Sequence, residues 1–318
     1  EVYRGTRTRL VDGFGIEPGR ELHELERAIL NHDPALDVTG GAAAPDQLVL
    51  VLPSAEERLE ALLGVAEPLA GLPGRALLIA RLLPDETSLA STAAALNLRR
   101  ASLGVEARTA VFTTVDPVED AVRLVSAYDV RLVLTDVAEL HAGALPEAVA
   151  SIVERAPADV GLLTGSEVDW ESGDGVYVPF GGGEHDWAAL ELAAWLASSR
   201  RIGLRLLGTR ADASRGRRDA SRLLANASLS VQRTIGVDAV PELVDPDPAA
   251  LVDAAANATI VVTGLSASWR REGLGAARRA LVRRARPTLL VHSGPRPSGV
   301  APPGSRTRFT WTIESAPL

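Results

Sequence analysis

The chain has 318 residues, of which 46% are hydrophobic and 23% charged, a composition typical of folded globular domains. It contains no cysteine and no lysine, which excludes disulfide frameworks, thiol nucleophiles, Schiff-base chemistry and the lysine of a Walker-type phosphate loop. The net charge of −8 is uneven: residues 1–170 hold 14 Arg against 27 Asp and Glu (−13), and residues 171–318 hold 19 against 14 (+5). We therefore expect an anionic ligand to bind the second part of the chain.

No apolar run reaches the ~18–20 residues of a membrane-spanning helix and no leader opens the chain, so we expect a cytoplasmic protein.

Residues 1–36 have the pattern of two helices joined by a turn at residues 13–19. Asp33 followed by Pro34 ends the second of these helices. Residues 37–46 are rich in Gly, Ala and Pro, which predicts a linker.

From residue 47 the pattern changes to short apolar runs that alternate with helices. Five strands are predicted at residues 48–52, 76–83, 109–114, 130–135 and 159–163. Four helices are predicted between them, at residues 55–70, 86–103, 117–128 and 146–155. Continuous apolar strands that alternate with helices are typical of a parallel sheet covered on both faces. Residues 47–165 are therefore predicted to form an α/β domain.

The same pattern repeats after an acidic and polar hinge at residues 166–174. Strands are predicted at residues 175–180, 204–208, 239–244, 259–263 and 288–292. Helices are predicted at residues 186–199, 219–235, 248–256 and 274–284. A repeat of roughly 125 residues is too long for a solenoid. It predicts that a second α/β domain occupies residues 175–294.

Residues 295–318 form a tail in which Pro295, Pro297, Pro302 and Pro303 lie close together. Near its end Phe309, Trp311 and Ile313 alternate with polar residues, which is the pattern of a strand with one apolar face. The pattern favours a strand that packs at a sheet edge. The alternative is a peptide that is offered to a partner.

Segments of the second domain resemble universal stress proteins. Residues 176–190 have the sequence VYVPFGGGEHDWAAL, and residues 260–266, 273–276 and 285–291 have IVVTGLS, GLGA and ARPTLLV. These resemble the first strand, the glycine loop and the last strand of that family. In the first domain the closing segment at residues 156–163, APADVGLL, matches. The resemblance implies a Rossmann-like, five-stranded parallel sheet in the order 3-2-1-4-5 in each domain.

Residues 10–36 resemble the C-terminal end of the bacterial transcriptional activator domain, through Phe14-Gly15-Ile16-Glu17-Pro18 and the Asp33-Pro34 pair. The resemblance implies that residues 1–36 are the remnant of that helical domain. It also implies that the intact gene product carries further helical repeats upstream, with a DNA-binding module. We therefore expect DNA contact only through upstream modules that these 318 residues do not include.

A glycine loop that leads into a helix binds anions, because backbone N–H groups and the helix N-terminus present positive partial charge. The segment from Gly264 to Gly275 is such a loop, with Arg270 and Arg271 for phosphate and Trp269 for stacking on a base. The opposite wall is predicted at the glycine turn 181–183, since both loops follow strand carboxyl ends. The candidate binding residues are Gly181, Gly182, Gly183, Gly264, Trp269, Arg270, Arg271, Gly273 and Gly275. The candidate ligand is ATP or another adenine nucleotide.

Several positions depart from the pattern of the family. Gly181 stands where the family has an aspartate on the adenine side, and Ala276 stands where it has a phosphate-binding Ser or Thr. The backbone of the loop remains, so the alternatives are a binding loop and a degenerate loop with solvated arginines. In the first domain Asp136 and Glu139 follow the fourth strand and would repel phosphate, which predicts a degenerate copy.

We identify no catalytic residue and no metal site in the sequence. The five histidines lack the spacing of metal ligands. Asp186 is predicted to cap the helix that follows it. Trp187 and Trp195 lie on a helix stripe apart from the Ala and Leu stripe, which predicts that they face outward to the other repeat or to a second subunit.

The combined pattern favours a non-enzymatic regulatory or sensor module of a larger bacterial transcriptional or stress regulator. The second domain would bind a nucleotide or another small anion, the two repeats would pair within the chain, and a homodimer would be the further assembly. Two alternatives remain open. One is slow ATP hydrolysis of the kind seen in some universal stress proteins, and the other is a cytosolic accessory domain of a cation/proton antiporter.

Overall fold

The computed structural model describes residues 47–137, 140, 143–211, 219–266, 268–284 and 287–302, which belong to one unit. The predicted helices at residues 1–36, the linker at residues 37–46 and the apolar strand near residue 311 lie outside the described residues. Within the described ranges, no helix is long and apolar enough to cross a bilayer.

The first half of the sheet consists of five parallel strands in the order β3-β2-β1-β4-β5. The strands are β1 (Gln47–Leu52), β2 (Arg75–Leu83), β3 (Ala107–Thr113), β4 (Val130–Asp136) and β5 (Asp159–Thr164). The helices are α1 (Leu59–Ala70), α2 (Leu89–Ala101), α3 (Pro117–Ala127) and α4 (Glu147–Arg155), with a short 3-10 turn at Glu56–Arg58.

The second half repeats this order as β8-β7-β6-β9-β10. Its strands are β6 (Val176–Pro179), β7 (Leu204–Thr209), β8 (Ala239–Val244), β9 (Ile260–Gly264) and β10 (Thr288–His292). Its helices are α5 (Glu184–Arg200), α6 (Ser221–Thr234), α7 (Pro248–Ala254), α8 (Trp269–Glu272) and α9 (Gly275–Arg283). The predicted α/β class with a mostly parallel sheet is confirmed, and only the short helix α8 lacks a counterpart in the predicted elements.

The two halves share one ten-stranded sheet. Strands β5 and β10 pair antiparallel from Thr164 opposite Thr288 to Val160 opposite His292. The side chains of Leu162 and Leu289 in these strands are buried. Two separate sheets would leave β5 and β10 as long apolar edges with unpaired backbone groups, and the antiparallel pairing removes both edges.

Helix α5 is buried on nearly all sides because the first half covers the face that is turned away from its own sheet. Helix α1 packs against it, and the Arg75 guanidinium lies 3.7 Å from the centre of the Trp195 ring. Trp187 packs edge-on against Phe180, and the Ser298 hydroxyl donates a hydrogen bond to the Trp187 carbonyl. Trp195 therefore lies at the junction of the halves, and Trp187 is buried rather than on an outer surface.

Candidate functional site

A crevice of about 470 Å³ opens at the carboxyl ends of the strands in the second half. The ends of β6, β7, β8 and β9, residues 245–248 and the first two turns of α9 line it. It lies where the connections leave the central strand β6 in opposite directions. In open parallel sheets this switch point is where ligands bind.

The glycine turn after β6 is closed by a carboxylate from its own half. Asp186 in the first turn of α5 accepts hydrogen bonds from the N–H groups of Gly181 and Gly183, both at 3.1 Å. Gly182 between them has a φ of +83°, a conformation that favours glycine. Burial raises the pKa of Asp186, and Arg278 and the two amides only partly offset this. The amides that the sequence analysis assigned to a ligand thus already hold a carboxylate.

Arg278 is the basic side chain of this crevice that sequence analysis missed. Its Nη2 lies 3.5 Å from Asp186 Oδ1, and its Nε donates to the Gly264 carbonyl at the end of β9. Leu274, Arg278 and Leu281 are spaced i, i+4 and i+7, so one helix face carries all three. That spacing was the signal in the sequence that could have identified Arg278.

The N-terminus of α9 faces the crevice without a cap. Leu274, the residue before the helix, makes no side-chain cap to its first N–H groups, and Ala276 in the first turn is exposed and lines the crevice. Gly275 has a φ of +73°, and a Cβ added there would meet open space. Free N–H groups at the start of a helix attract negative charge.

Three of the predicted binding residues, Trp269, Arg270 and Gly273, lie instead at the contact with the first half. Trp269 is buried in an apolar cluster that includes Ile152 of α4. Arg270 pairs with Glu147 and Glu154 of α4, with N–O distances of 2.6 and 3.2 Å.

Gly273 and Arg271 belong to the same loop. Gly273 packs against Gly143, and the Leu274 N–H donates to the Gly143 carbonyl at 3.0 Å. Arg271 is 81% exposed and pairs with the neighbouring Glu272. None of Trp269, Arg270, Arg271 and Gly273 lines the crevice. Ligand binding by these four residues stays a prediction, and the contacts of Trp269, Arg270 and Gly273 favour a structural role at the junction.

The equivalent place in the first half is filled. Asp136 ends β4, as Gly264 ends β9, and its side chain is completely buried. It accepts hydrogen bonds from the Ser54 N–H at 2.8 Å and the Ser54 hydroxyl at 2.6 Å. The Arg58 Nε lies 3.4 Å away. This arrangement ties the turn after β1 to the end of β4.

Among the described residues, no cluster of three or more His, Asp or Glu side chains could hold a metal ion. In the crevice Asp245 pairs with Arg210 at 3.2 Å, and Asp247 precedes the first residue of α7. The crevice thus has a carboxylate side at the end of β8 and a basic side at α9.

Solved structures share this fold at low sequence identity. The cytoplasmic domain of a prokaryotic cation chloride cotransporter aligns with a TM-score of 0.58 and 13% identity, covering 80% of this chain and 99% of that one. A candidate universal stress protein from Pseudomonas aeruginosa UCBPP-PA14 aligns with a TM-score of 0.53 and 16% identity, covering 77% and 92%. A universal stress protein from Archaeoglobus fulgidus DSM 4304 aligns with a TM-score of 0.50 and 15% identity, covering 76% and 97%.

No family model matches the sequence, and no curated protein matches it significantly. The structural likeness concerns the fold, which is that of universal stress proteins.

Proposed function

We propose that this chain is a non-enzymatic regulatory module that binds a nucleotide in the crevice of its second half. The observation that carries the proposal is the pairing of an uncapped helix N-terminus and Arg278 with an open crevice at the switch point of the sheet. A volume of about 470 Å³ lies within the usual range of small-molecule sites.

The two sides of the crevice suit the two parts of a nucleotide. The first turn of α9 and the Arg278 guanidinium suit phosphate oxygens. A guanidinium has five N–H donors, and its contacts with Asp186 and Gly264 engage only some of them. The carboxylates of Asp245 and Asp247 are acceptors for ribose hydroxyls or a base amino group. A bare inorganic anion would use only the basic side, which favours a nucleotide.

The same contacts argue against turnover. Phosphoryl transfer depends on groups that bind metal ions and position the nucleophile. Asp186 is engaged by two amides and Arg278, and Asp245 by Arg210. The chain has no lysine to neutralise the phosphates. Binding without hydrolysis is therefore the expected behaviour.

The regulatory context is inferred from the opening segment. The resemblance of residues 10–36 to the bacterial transcriptional activator domain supports a larger bacterial regulator that acts in the cytoplasm. In that protein DNA would be bound by upstream modules, and nucleotide binding here would report on the metabolic state of the cell.

A second candidate function is that of a domain attached to a membrane transporter. It is favoured by the alignment with the cytoplasmic domain of a cation chloride cotransporter, whose TM-score of 0.58 exceeds those of the two stress proteins. The coding sequence on both sides of this chain separates the candidates. Transmembrane helices there would favour a transporter domain, and a winged helix would favour the transcriptional regulator.

Titration calorimetry with ATP, and separately with inorganic phosphate, tests the proposal directly. Ala276→Glu places a carboxylate at the first turn of α9, where it suits the helix dipole but repels phosphate. The matched control is Ala90→Glu, an exposed residue in the first turn of α2 in the first half. We expect Ala276→Glu to weaken ATP binding at least about tenfold, a loss of about 1.4 kcal/mol, and Ala90→Glu to leave it unchanged.

Absence of ATP binding by the unaltered chain, or equal effects of the two substitutions, would contradict the proposal. Phosphate release from ATP and magnesium in the same preparation tests the non-enzymatic part. Turnover near ~1 s⁻¹, at the low end of the usual enzyme range, that Ala276→Glu abolishes would establish an ATPase instead.

A further inference from the structure

The two ends of the ten-stranded sheet differ in how they are protected. Strand β8 carries Pro241 in its middle, and a proline offers no N–H to an added strand. Strand β3 is one residue longer, has no proline and lies at the opposite end of the sheet. Sheet ends without such protection pair readily with other strands.

The outward backbone groups of β3 follow from its register with β2. The Leu77 N–H donates to the Glu106 carbonyl at 2.9 Å, and the Thr114 N–H donates to the Leu83 carbonyl at 2.8 Å. Even-numbered residues of β3 therefore bond to β2, and Thr109 and Val111 turn their N–H and carbonyl groups outward. In the part of the chain that the structure describes, no strand pairs with that side.

Apolar side chains surround this edge. Phe112 in β3 and Tyr128 after α3 line a common cavity of about 350 Å³, although the two side chains are 36% and 46% exposed. On the helix beside β3, Leu98 is 77% exposed, and Val115 after the strand is fully exposed. Exposed apolar groups that collect at an open sheet edge mark an interaction surface.

The charges at the two ends of β3 have opposite sign. Near its start lie Arg100 and Arg108 with Glu106, whereas Arg99 is paired with Glu60 and Glu67 of α1. Around its end lie Asp85, Glu86, Asp116, Glu119 and Asp120 with Arg123. A strand added antiparallel from a second copy brings the basic end of one copy to the acidic end of the other. Parallel addition would instead place like charges together.

We propose that β3 is a dimer interface at which a second copy of this chain adds its own β3 antiparallel, extending the sheet across both molecules. A two-fold axis at Ala110 places Thr109 opposite Val111 of the second copy, so the outward backbone groups pair with each other. In this register Phe112 faces Arg108 of the second copy.

Sedimentation equilibrium of the 318-residue chain tests this inference at micromolar concentrations. We expect a dimer for the unaltered chain and a monomer for Phe112→Lys, because a second positive charge then faces Arg108 across the interface. The matched control is Val240→Lys, at a residue of the other edge strand that is 54% exposed. This variant should remain dimeric.

A second variant, Val111→Pro, removes an outward N–H without removing a bond to β2, and circular dichroism checks its fold. The expected result is at least about tenfold weaker self-association than in the unaltered chain. A monomeric unaltered chain would overturn the proposal and indicate that another segment or partner covers β3. Dimers that persist in Phe112→Lys, or that Val240→Lys disrupts equally, would also overturn it.

Discussion

The two halves of the sheet have the same strand order but differ in where the carboxylate at the switch point comes from. In the first half Asp136 comes from the end of β4 and reaches across to Ser54, so it ties two strand ends together. In the second half Gly264 holds the equivalent position and has no side chain. The carboxylate comes instead from Asp186 on α5, the helix that follows β6. A carboxylate on the strand end fills the crevice, whereas one on the helix caps its own turn and leaves the crevice open.

The comparison predicts that Asp136 contributes mainly to stability. Its replacement by Ala leaves the Ser54 N–H without its acceptor and removes the carboxylate beside the Arg58 Nε. We expect Asp136→Ala to lower the free energy of unfolding by about 3 kcal/mol, as for other broken buried charge pairs. Urea unfolding at pH 7 measures the loss.

The control for this prediction is Asp245→Ala in the second half, whose carboxylate is largely exposed and pairs with Arg210. It should change the free energy of unfolding by no more than about 0.5 kcal/mol. Similar losses in the two variants would remove the distinction between a filled and an open switch point.

A second contrast concerns the last residues of the two strands that join the halves, Thr164 in β5 and His292 in β10. They are equivalent because Leu163 pairs with Asp136 and Val291 with Gly264. Burial, together with the neighbouring His185, lowers the pKa of His292 to about 4, and Glu184 opposes this only weakly. Its contribution to stability is therefore present above the unfolded pKa near 6.5 and is lost as the pH falls towards 4.

A change from pH 7 to pH 5 should lower the free energy of unfolding by about 2 kcal/mol through protonation of this residue in the unfolded chain. His292→Leu removes the titrating imidazole and should therefore remove that part of the pH dependence. The raised pKa values of Asp159 and Asp186 act in the opposite direction in both proteins, so the difference between the two stability curves isolates His292. Parallel curves would show that His292 is not responsible.

The elements of the fold could be predicted because each strand is a continuous apolar run bounded by turn residues. The order of strands came from resemblance to a family, since periodicity alone does not determine which strands are neighbours. The joining of β5 to β10 is a contact between residues far apart in sequence. No local pattern encodes it, although two apolar edge strands in one chain suggest it.

The sequence analysis and the structure place the candidate site at the same edge of the sheet, but with partly different side chains. Trp269 and Arg270 follow a glycine loop, and only the packing of α8 against α4 shows that they face the first half. Asp186 was predicted to precede and cap its helix, but the helix begins at Glu184 and Asp186 is its third residue, which accepts a hydrogen bond from the Gly183 N–H. Its second role, as the partner of Arg278, depends on two elements that are separated by some ninety residues of chain.

The last contrast is between the crevice and the junction as binding sites. Substitutions of one arginine in each region distinguish them. Arg278→Ala removes the basic side chain of the crevice, and we expect about tenfold weaker ATP binding, because a charge-assisted contact to phosphate is lost. Arg270→Ala removes the same type of side chain from the contact with Glu147 and Glu154. It should leave ATP affinity within about twofold of the unaltered chain, since an exposed ion pair at a distance from the ligand is screened. Calorimetric titrations at low and at physiological salt measure both affinities, and thermal melts exclude unfolding as the cause. A larger loss of affinity in Arg270→Ala than in Arg278→Ala would indicate that the loop at residues 265–274 binds the phosphate. The binding site would then be the junction between the halves.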